Sequence, residues 1–303
     1  MIWILKAVVQ KTISFLPASQ RINYFFQKHI TKGVSLSDDW FEDKLIHCNS
    51  HFAAVKKYGN QASGIKVFEL GTGWFPVVPL GLYLCGADEV MTYDLNSLLR
   101  DGNVKATVEK FKTYHKNGKL RQIFNGMDEE RLNTLLACEE KTTKKILEKF
   151  KIKAIVGDAS KTQLPSHSFD LIISNNVFEH IYPEILKNIL TEFKRIAKPK
   201  GVMSHFIDMS DHFAHLDKKI TIYNFLKFSE NKWKWIDNSI QPMNRMRIYD
   251  YRKTYSDLNI AIAEEKNREG NLAELKRINL AEKFSGQPLE QTAISHSLII
   301  SIL

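Results

Sequence analysis

The 303-residue chain is poor in the residues that mark fibrous, disulfide-rich and membrane-spanning proteins. It has 14 glycines and 8 prolines, too few for a fibrous or linker-rich chain. Its three cysteines, Cys48, Cys85 and Cys138, form no Cys-x-x-Cys pair, which argues against a disulfide scaffold and a zinc ribbon. No apolar run approaches the roughly 18 residues that cross a bilayer. The composition therefore predicts a soluble globular protein of the reducing cytoplasm.

Basic residues outnumber acidic ones, with 43 Lys and Arg against 34 Asp and Glu, for a formal charge of +9. Such an excess attracts nucleic acid, phosphorylated metabolites or a membrane surface, without choosing between them. The lysines of residues 96–150 are interleaved with acids, which disfavours a nucleic-acid track. The apolar residues 1–9 are too few to span a bilayer, and they predict a helix able to make peripheral membrane contact.

Apolar periodicity divides the chain into an N-terminal helical cap, residues 1–60, and a domain of alternating strands and helices, residues 61–303. In the cap, residues 22–30 and 40–58 have helical spacing, and Ser37 precedes the second of these helices as its N-cap. The later alternation predicts a parallel sheet covered on both faces. It lapses at the aromatic-rich residues 210–247, which we expect to be an insertion facing the substrate.

The first strand–turn–helix–strand unit carries acids and glycines typical of nucleotide-binding sheets. Glu69, Gly71 and Gly73 follow one another at the end of a strand, where glycines let a ligand approach the backbone. Asp94 ends the next strand, where an acid can accept both hydroxyls of a ribose. Phe75-Pro76 occupies the place of the third glycine of a dinucleotide fingerprint, so NAD is disfavoured.

A longer ordered set of motifs resembles the class I S-adenosylmethionine-dependent methyltransferases. The set is Glu69-x-Gly71-x-Gly73, Asp94, Gly157-Asp158-Ala159 and Ser168-Phe-Asp-Leu-Ile-Ile-Ser-Asn175 with Glu179-His180 behind it, within residues 65–208. The resemblance implies an α/β fold: a seven-stranded, mostly parallel Rossmann-like sheet with helices on both faces and a reversed last strand at residues 292–303. It also implies S-adenosyl-L-methionine as the cofactor.

By the same resemblance, the strand ends would hold this cofactor. Its methionine end would lie against Glu69, Gly71, Thr72, Gly73 and Trp74. Asp94 would bind the ribose hydroxyls and Leu95 would face the adenine. Asp158 would accept a hydrogen bond from the adenine amino group, with Ala159 beside it, and Asn175 would lie near the amino-acid moiety and the transferred methyl.

The methyl acceptor is less sharply indicated. The segment after the fourth strand lacks the proline-aromatic pattern of base-amino methyltransferases, so a nucleic-acid partner is disfavoured. Residues 211–247 are similar to bacterial methyltransferase-domain proteins of surface-polysaccharide biosynthesis. Arg245 and Arg247 are either a clamp for an anion or ordinary surface residues. We expect O-methylation of a sugar-like glycan or other small anionic acceptor; the alternatives are a methyltransferase of RNA or other nucleic acid and a non-catalytic cofactor-binding module. The oligomeric state is not predicted.

A cluster of histidines and acids follows the fifth predicted strand. His212 is the predicted base for an acceptor hydroxyl, with His205 and His180 as rivals. Asp208 or Asp211 would fix its tautomer. The same side chains are also suited to a divalent metal or to a structural role, and spacing does not decide between these roles. No metal is assigned to the site at this stage.

Overall fold

The computed structural model describes residues 2–16, 35–61, 63–124 and 126–303, and a seven-stranded sheet lies at its centre. In chain order the strands are β1 Lys66–Leu70, β2 Glu89–Asp94, β3 Ile152–Val156, β4 Phe169–Asn175, β5 Ala197–Asp208, β6 Ile262–Arg268 and β7 His296–Ile302. Their spatial order is β3-β2-β1-β4-β5-β7-β6. Strands β1 to β5 run parallel, whereas β7 is antiparallel to β5 and β6. The predicted fold class, with its reversed last strand, is confirmed.

The last strand is shorter than predicted. Pro288 begins a short helix, and the N–H of Thr292 donates to its carbonyl oxygen over 2.9 Å. Thr292 therefore lies in that helix, and β7 begins at His296.

The helices of the described residues cover both faces of the sheet. They are α1 Ile2–Ser14, α2 Asp38–Tyr58, α3 Val77–Leu84, α4 Asp101–Lys116, α5 Lys119–Ile123, α6 Glu129–Leu136, α7 Thr143–Lys149, α8 Pro183–Ile196, α9 Glu230–Ile236, α10 Ile248–Asp257, α11 Leu272–Leu275, α12 Glu282–Ser285 and α13 Leu289–Ala293. Short 3₁₀ turns stand at Phe178–His180, His212–His215 and Asn224–Lys227. None of the helices in these ranges is long and apolar enough to cross a membrane.

Alternate residues of β1 enter two different cores. Val67 packs into the core that also contains α2 and α3, whereas Phe68 packs against Phe169 and Phe193, with ring centroids 5.5 and 5.4 Å away. Because successive side chains of a strand point to opposite faces, a strand such as β1, whose residues 67–70 are all buried, is covered on both sides.

The two N-terminal helices in the described residues pack on different parts of the molecule. Helix α2 begins at the predicted N-cap, where Ser37 Oγ accepts from the N–H of Trp40, and it packs on the sheet through Phe41 and Leu45. Helix α1 instead packs on the 210–247 segment, with Trp3 and Phe213 ring centroids 5.9 Å apart. The predicted helix at 22–30 lies outside the described residues.

The carboxyl ends of β1, β2, β4 and β5 meet at one edge of the sheet. The chain runs from β1 through β2 to β3 on one side, then returns to place β4 on the other side of β1. Such a reversal opens a crevice at the carboxyl ends of the strands, which is where open α/β sheets bind ligands. The fold therefore directs attention to the loops after these strands.

Candidate functional site

The loop after β1 presents a buried acid and two glycines. Glu69 is 2% exposed, and its Oε2 has no hydrogen-bond partner among the described residues. Burial, reinforced by the charge of Asp94, raises the pKa of Glu69 to about 8. Gly71 and Gly73 have φ angles of 80° and 69°, and a Cβ on Gly71 would lie 2.5 Å from Val177 Cγ2. The loop offers a ligand both an unused acceptor and bare backbone.

Asp94 and Leu95 form the end of β2. The backbone N–H groups of Gly73 and Asn96 donate to the two carboxylate oxygens of Asp94 over 3.4 and 3.2 Å, which fixes its orientation. Burial raises the pKa of Asp94. Leu95, the next residue, is 73% exposed and is accessible to a ligand bound at this carboxylate. A fixed carboxylate beside an open apolar side chain suits a ribose joined to a flat base.

The end of β3 continues this arrangement. The N–H of Gly157 donates to the carbonyl oxygen of Asp94 over 3.0 Å, which ties the two strand ends together. Asp158 is exposed, and a hydrogen bond from the N–H of Ser160 lowers its pKa. Ala159 beside it is buried. The acid predicted to contact an adenine amino group is thus solvent-accessible and one strand away from Leu95.

An open cavity of about 640 Å³ adjoins these strand ends. Thr72, Gly73 and Asp94 line it, together with residues 96–99 and 152–156. Small-molecule sites commonly occupy a few hundred to about a thousand Å³. The cavity is large enough for a nucleoside and opens beside the residues predicted to bind one.

Two side chains of α2, which the sequence analysis did not single out, hold the end of β4. The fully buried His51 has its Nε2 2.9 Å from Asn175 Oδ1 and its Nδ1 2.8 Å from Ser204 Oγ. Since Asn175 Oδ1 can only accept, Nε2 carries the proton and Nδ1 accepts from Ser204. Asn175 Nδ2 is left buried without a partner in the described residues, and Lys44 Nζ donates to Asn176 Oδ1 over 2.6 Å.

The signal that could have identified these residues is their spacing. Lys44, His47 and His51 recur at three- and four-residue intervals on a helix face that also buries Leu45 and Phe52. A polar stripe within an apolar helix face needs buried partners. The sequence analysis treated this face as packing surface alone.

Three of the four predicted catalytic residues, His180, Asp208 and His212, lie together where the chain leaves β4 and β5, and Glu179 lies with them. Glu179, His180 and His212 each offer one ligand atom, and these atoms lie within 4.8 Å of one another. Asp208 lies beside them: its Oδ2 is 3.4 Å from His212 Nε2, and its Oδ1 is 3.4 Å from His296 Nε2. Asp208 is therefore the carboxylate that contacts the imidazole of His212.

The pKa values of the two acids in this cluster shift in opposite directions. Burial and the charge of Asp208 raise the pKa of Glu179 well above its ordinary value, and neither of its carboxyl oxygens has a partner among the described residues. Burial also acts to raise the pKa of Asp208, but hydrogen bonding and charge from His212, with the charge of His296, outweigh it and hold that pKa below its ordinary value. Asp208 is therefore the ionised acid of the cluster at neutral pH.

His180 is oriented by the 210–247 segment. Its Nδ1 donates to the carbonyl oxygen of Pro242 over 2.6 Å, which leaves the lone pair of Nε2 free. Burial, with the charge of His212, lowers the pKa of His180 to about 4. The ring centroids of His180 and His212 are 4.9 Å apart. The sequence analysis expected this segment to face the substrate, and here it positions a candidate site residue.

His205 and Asp211 have other surroundings. His205 is fully buried in the sheet, where Nδ1 lies 2.9 Å from Ser174 Oγ and the ring stacks 4.4 Å from that of Phe178; burial holds its pKa well below the ordinary value. Asp211 accepts from the N–H of Phe213 and caps the His212–His215 turn. Both environments are those of structural residues.

Neither role expected for Arg245 and Arg247 agrees with the structure. They are 2% and 0% exposed, so they are not surface residues. Arg247 donates to main-chain oxygens of Met209, Thr292 and Ile294, and Arg245 donates to Phe225 O, Phe228 O and Glu230. An anion clamp needs free donors, and here the guanidinium groups join backbone segments instead.

Comparison with known proteins agrees with this geometry. A family model described as "Methyltransferase domain" matches residues 129–204, from α6 to β5. A search of curated protein sequences finds no match.

Solved structures with a similar fold include several methyltransferases. One is Burkholderia thailandensis 1,6-didemethyltoxoflavin-N1-methyltransferase with bound 1,6-didemethyltoxoflavin and S-adenosylhomocysteine, at 10% identity, 93% and 86% coverage of the two chains and a TM-score of 0.47. Another is Haemonchus contortus phosphoethanolamine N-methyltransferase 2 with S-adenosylmethionine, at 14% identity, 84% and 52% coverage and a TM-score of 0.46. A third, a Methanosarcina mazei SAM-dependent methyltransferase, has 14% identity, 82% and 95% coverage and a TM-score of 0.45. At these scores the likenesses carry no information about substrate.

The fold, the acids at the strand ends and the family match support a methyltransferase that uses S-adenosylmethionine. The residues present fit this cofactor: within the described part of the chain Glu69 Oε2 and Asn175 Nδ2 are buried without partners, and a Cβ on Gly73 would have nothing within 4 Å, which leaves space for a ligand. The cofactor is a cation rich in hydroxyl and amine donors, and the strand ends offer it carboxylates and bare backbone rather than a phosphate-binding nest.

Proposed function

We propose that the protein transfers a methyl group from S-adenosylmethionine to a hydroxyl oxygen of a small, neutral, hydroxyl-rich acceptor such as a sugar. The observation that carries the proposal is the cluster of Glu179, His180, Asp208 and His212 at the sheet edge that also carries Glu69 and Asp94. These groups exchange hydrogen bonds with hydroxyls, because acids and neutral imidazoles both donate and accept.

The acceptor proposed is neutral because the expected anion clamp is absent. Both arginines are engaged with carbonyl oxygens and Glu230, and the cluster itself consists of acids and histidines. A negatively charged acceptor would meet the ionised Asp208 there. The anionic acceptor named in the sequence analysis is thus replaced by a neutral one.

The reaction requires alignment more than activation. S-adenosylmethionine supplies an electrophilic methyl group on a sulfonium. The protein has to place the acceptor oxygen in line with that methyl and ease the loss of the hydroxyl proton. Asn175, fixed by His51, stands at the end of β4 between the donor side and the cluster. Both roles considered for His212, base and metal ligand, require the acceptor hydroxyl beside it.

The test is a labelling screen with the purified protein. S-adenosylmethionine with an isotopically labelled methyl group is incubated separately with free sugars, neutral glycan fragments, bulk RNA and bulk DNA. We expect label only in the hydroxyl-bearing small acceptors, and mass spectrometry locates it on oxygen. Saturable labelling of RNA or DNA would instead support a nucleic-acid methyltransferase. Cofactor binding without transfer to any acceptor would support a binding module.

A further inference from the structure

We infer that Glu179, His180 and His212 form a binding site for one divalent transition-metal ion. Their three ligand atoms lie within 4.8 Å of one another, so an ion placed among them can reach all three. Two imidazole nitrogens and a carboxylate are a ligand set that suits zinc and its neighbours better than calcium or magnesium. Three protein ligands leave further coordination positions open.

Unpartnered polar atoms give independent support for a ligand here. Both carboxyl oxygens of Glu179 are buried and have no hydrogen-bond partner in the described part of the chain. Glu179 itself is 5% exposed. Buried polar atoms without partners are costly, and each one in a folded protein calls for a missing neighbour. An ion held between Glu179 and the two histidines would provide that neighbour.

The surroundings of His180 are those of a metal ligand. His180 Nδ1 donates to Pro242 O over 2.6 Å, and such a bond to a carbonyl fixes the tautomer in which Nε2 can bind a metal. His212 is held in place by Gln241, whose Nε2 lies 3.4 Å from His212 Nδ1. Asp208 Oδ2, 3.4 Å from His212 Nε2, adds negative charge next to the ion.

The site has a use in the proposed function, on which this part of the inference rests. An ion with open positions can hold the oxygen atoms of a hydroxyl-rich acceptor beside the donor methyl. Coordination also makes a hydroxyl easier to deprotonate, so that His212 need not itself accept the proton. The inference thus assigns the metal role to the cluster, rather than the role of base.

Metal binding is measurable without any acceptor. The full chain is stripped with a chelator and titrated with Zn²⁺ by calorimetry and with Co²⁺ by visible absorption, which reports nitrogen and oxygen ligation. We expect one ion per chain. Glu179→Gln, His180→Ala and His212→Ala should each weaken the affinity by at least about tenfold. His215→Ala is the matched control, because His215 stacks on His212 with ring centroids 5.4 Å apart but offers no atom to the group.

Two outcomes would overturn the inference: no saturable binding of either ion to the wild type, or binding that the three variants leave unchanged or that His215→Ala weakens equally. Thermal unfolding of each variant identifies any that fails to fold, and Glu179→Gln preserves the volume of the side chain. S-adenosylhomocysteine binding is measured on the same samples. If the wild type does not bind S-adenosylhomocysteine, the proposed function is refuted, whereas the metal result is unaffected.

Discussion

At the residue scale, burial keeps the carboxyl of Glu69, proposed to hold the cofactor, mostly protonated. Glu69 lies one residue before the end of β1. The side chains of residues 72 and 92, the carboxylate of Asp94 and the positive charge of Lys44 all influence its pKa. Burial is the largest of these influences, and it raises the pKa of Glu69 to about 8. In the free protein at pH 7 the group is therefore mostly neutral.

Affinity for S-adenosylhomocysteine should rise with pH as Glu69 ionises. The ionised carboxylate binds the amine donor of the methionine end more strongly than the neutral acid, so the affinity should increase between about pH 6.5 and pH 8.5. Calorimetry over this range measures it. Glu69→Gln should bind more weakly at high pH and lose this dependence. An equally steep rise in Glu69→Gln would assign the titration to another group.

His212 should matter for turnover and not for cofactor affinity. His212→Ala should lower kcat by at least about 100-fold with an acceptor found in the labelling screen, because the hydroxyl loses the group that eases its deprotonation. S-adenosylhomocysteine affinity, measured by calorimetry, should change by less than about twofold. His215→Ala should retain most of the activity. A parallel fall in cofactor affinity in His212→Ala would place this residue on the donor side instead.

At the element scale, the loop between β1 and α3 is shaped by two glycines with different neighbours. Both have positive φ angles, but a Cβ on Gly71 would meet Val177, whereas a Cβ on Gly73 would have nothing within 4 Å. Gly71 is thus required by packing against the turn after β4. Gly73 faces open space on the side where the cofactor is proposed to bind.

Alanine at these two positions should separate stability from binding. Gly71→Ala should lower the free energy of unfolding by about 2–4 kcal/mol, from backbone strain plus the clash with Val177. Gly73→Ala should cost about 1–2 kcal/mol from strain alone, yet weaken S-adenosylhomocysteine binding, because its methyl group would enter the ligand space. Urea unfolding and calorimetry give the two quantities. Equal stabilities of the two variants would contradict this account.

Helix α2 links the N-terminal part of the chain to the site. Its apolar residues complete the core on one face of the sheet, and its polar stripe reaches the end of β4 through Lys44 and His51. The segment expected to be a cap over the domain thus contributes directly to the end of a central strand.

At the scale of the whole molecule, a buried cation joins the chain's distant segments. Arg247, at the start of α10, donates to carbonyl oxygens that follow β5 and precede β7. All three segments lie close to the carboxyl end of β5. The guanidinium therefore ties the 210–247 segment to the sheet edge that carries the site.

Removing this cation should destabilise the fold. Arg247→Met keeps the length of the side chain but leaves three buried carbonyl oxygens without donors, so the free energy of unfolding should fall by about 3–5 kcal/mol. Arg252→Met is the control: it breaks a half-exposed ion pair with Glu265 and should cost less than about 1 kcal/mol. Urea unfolding measures both. If Arg247→Met were as stable as the wild type but bound the acceptor more weakly, Arg247 would be an anion-binding residue after all.

The sheet and the position of two acids at its carboxyl edge follow from local sequence signals. Apolar runs, glycines and the acids at strand ends are such signals: Asp94 ends β2 as predicted, and β1 ends at Leu70, one residue after Glu69. Because parallel strands align their carboxyl ends, an acid known to end a strand is already placed at the binding edge. Glu69 and Asp94 could therefore be predicted without knowledge of any long-range contact.

The surroundings of the histidines and arginines depend on tertiary contacts. His205 and His212 are seven residues apart, yet one lies inside the core and the other beside Asp208, because strand alternation and the turn after β5 send them to different surroundings. Arg247 became a structural residue because carbonyl oxygens from segments 38 to 47 residues away surround it. Partners that are distant in sequence determine whether a polar side chain is satisfied, and no local pattern records them.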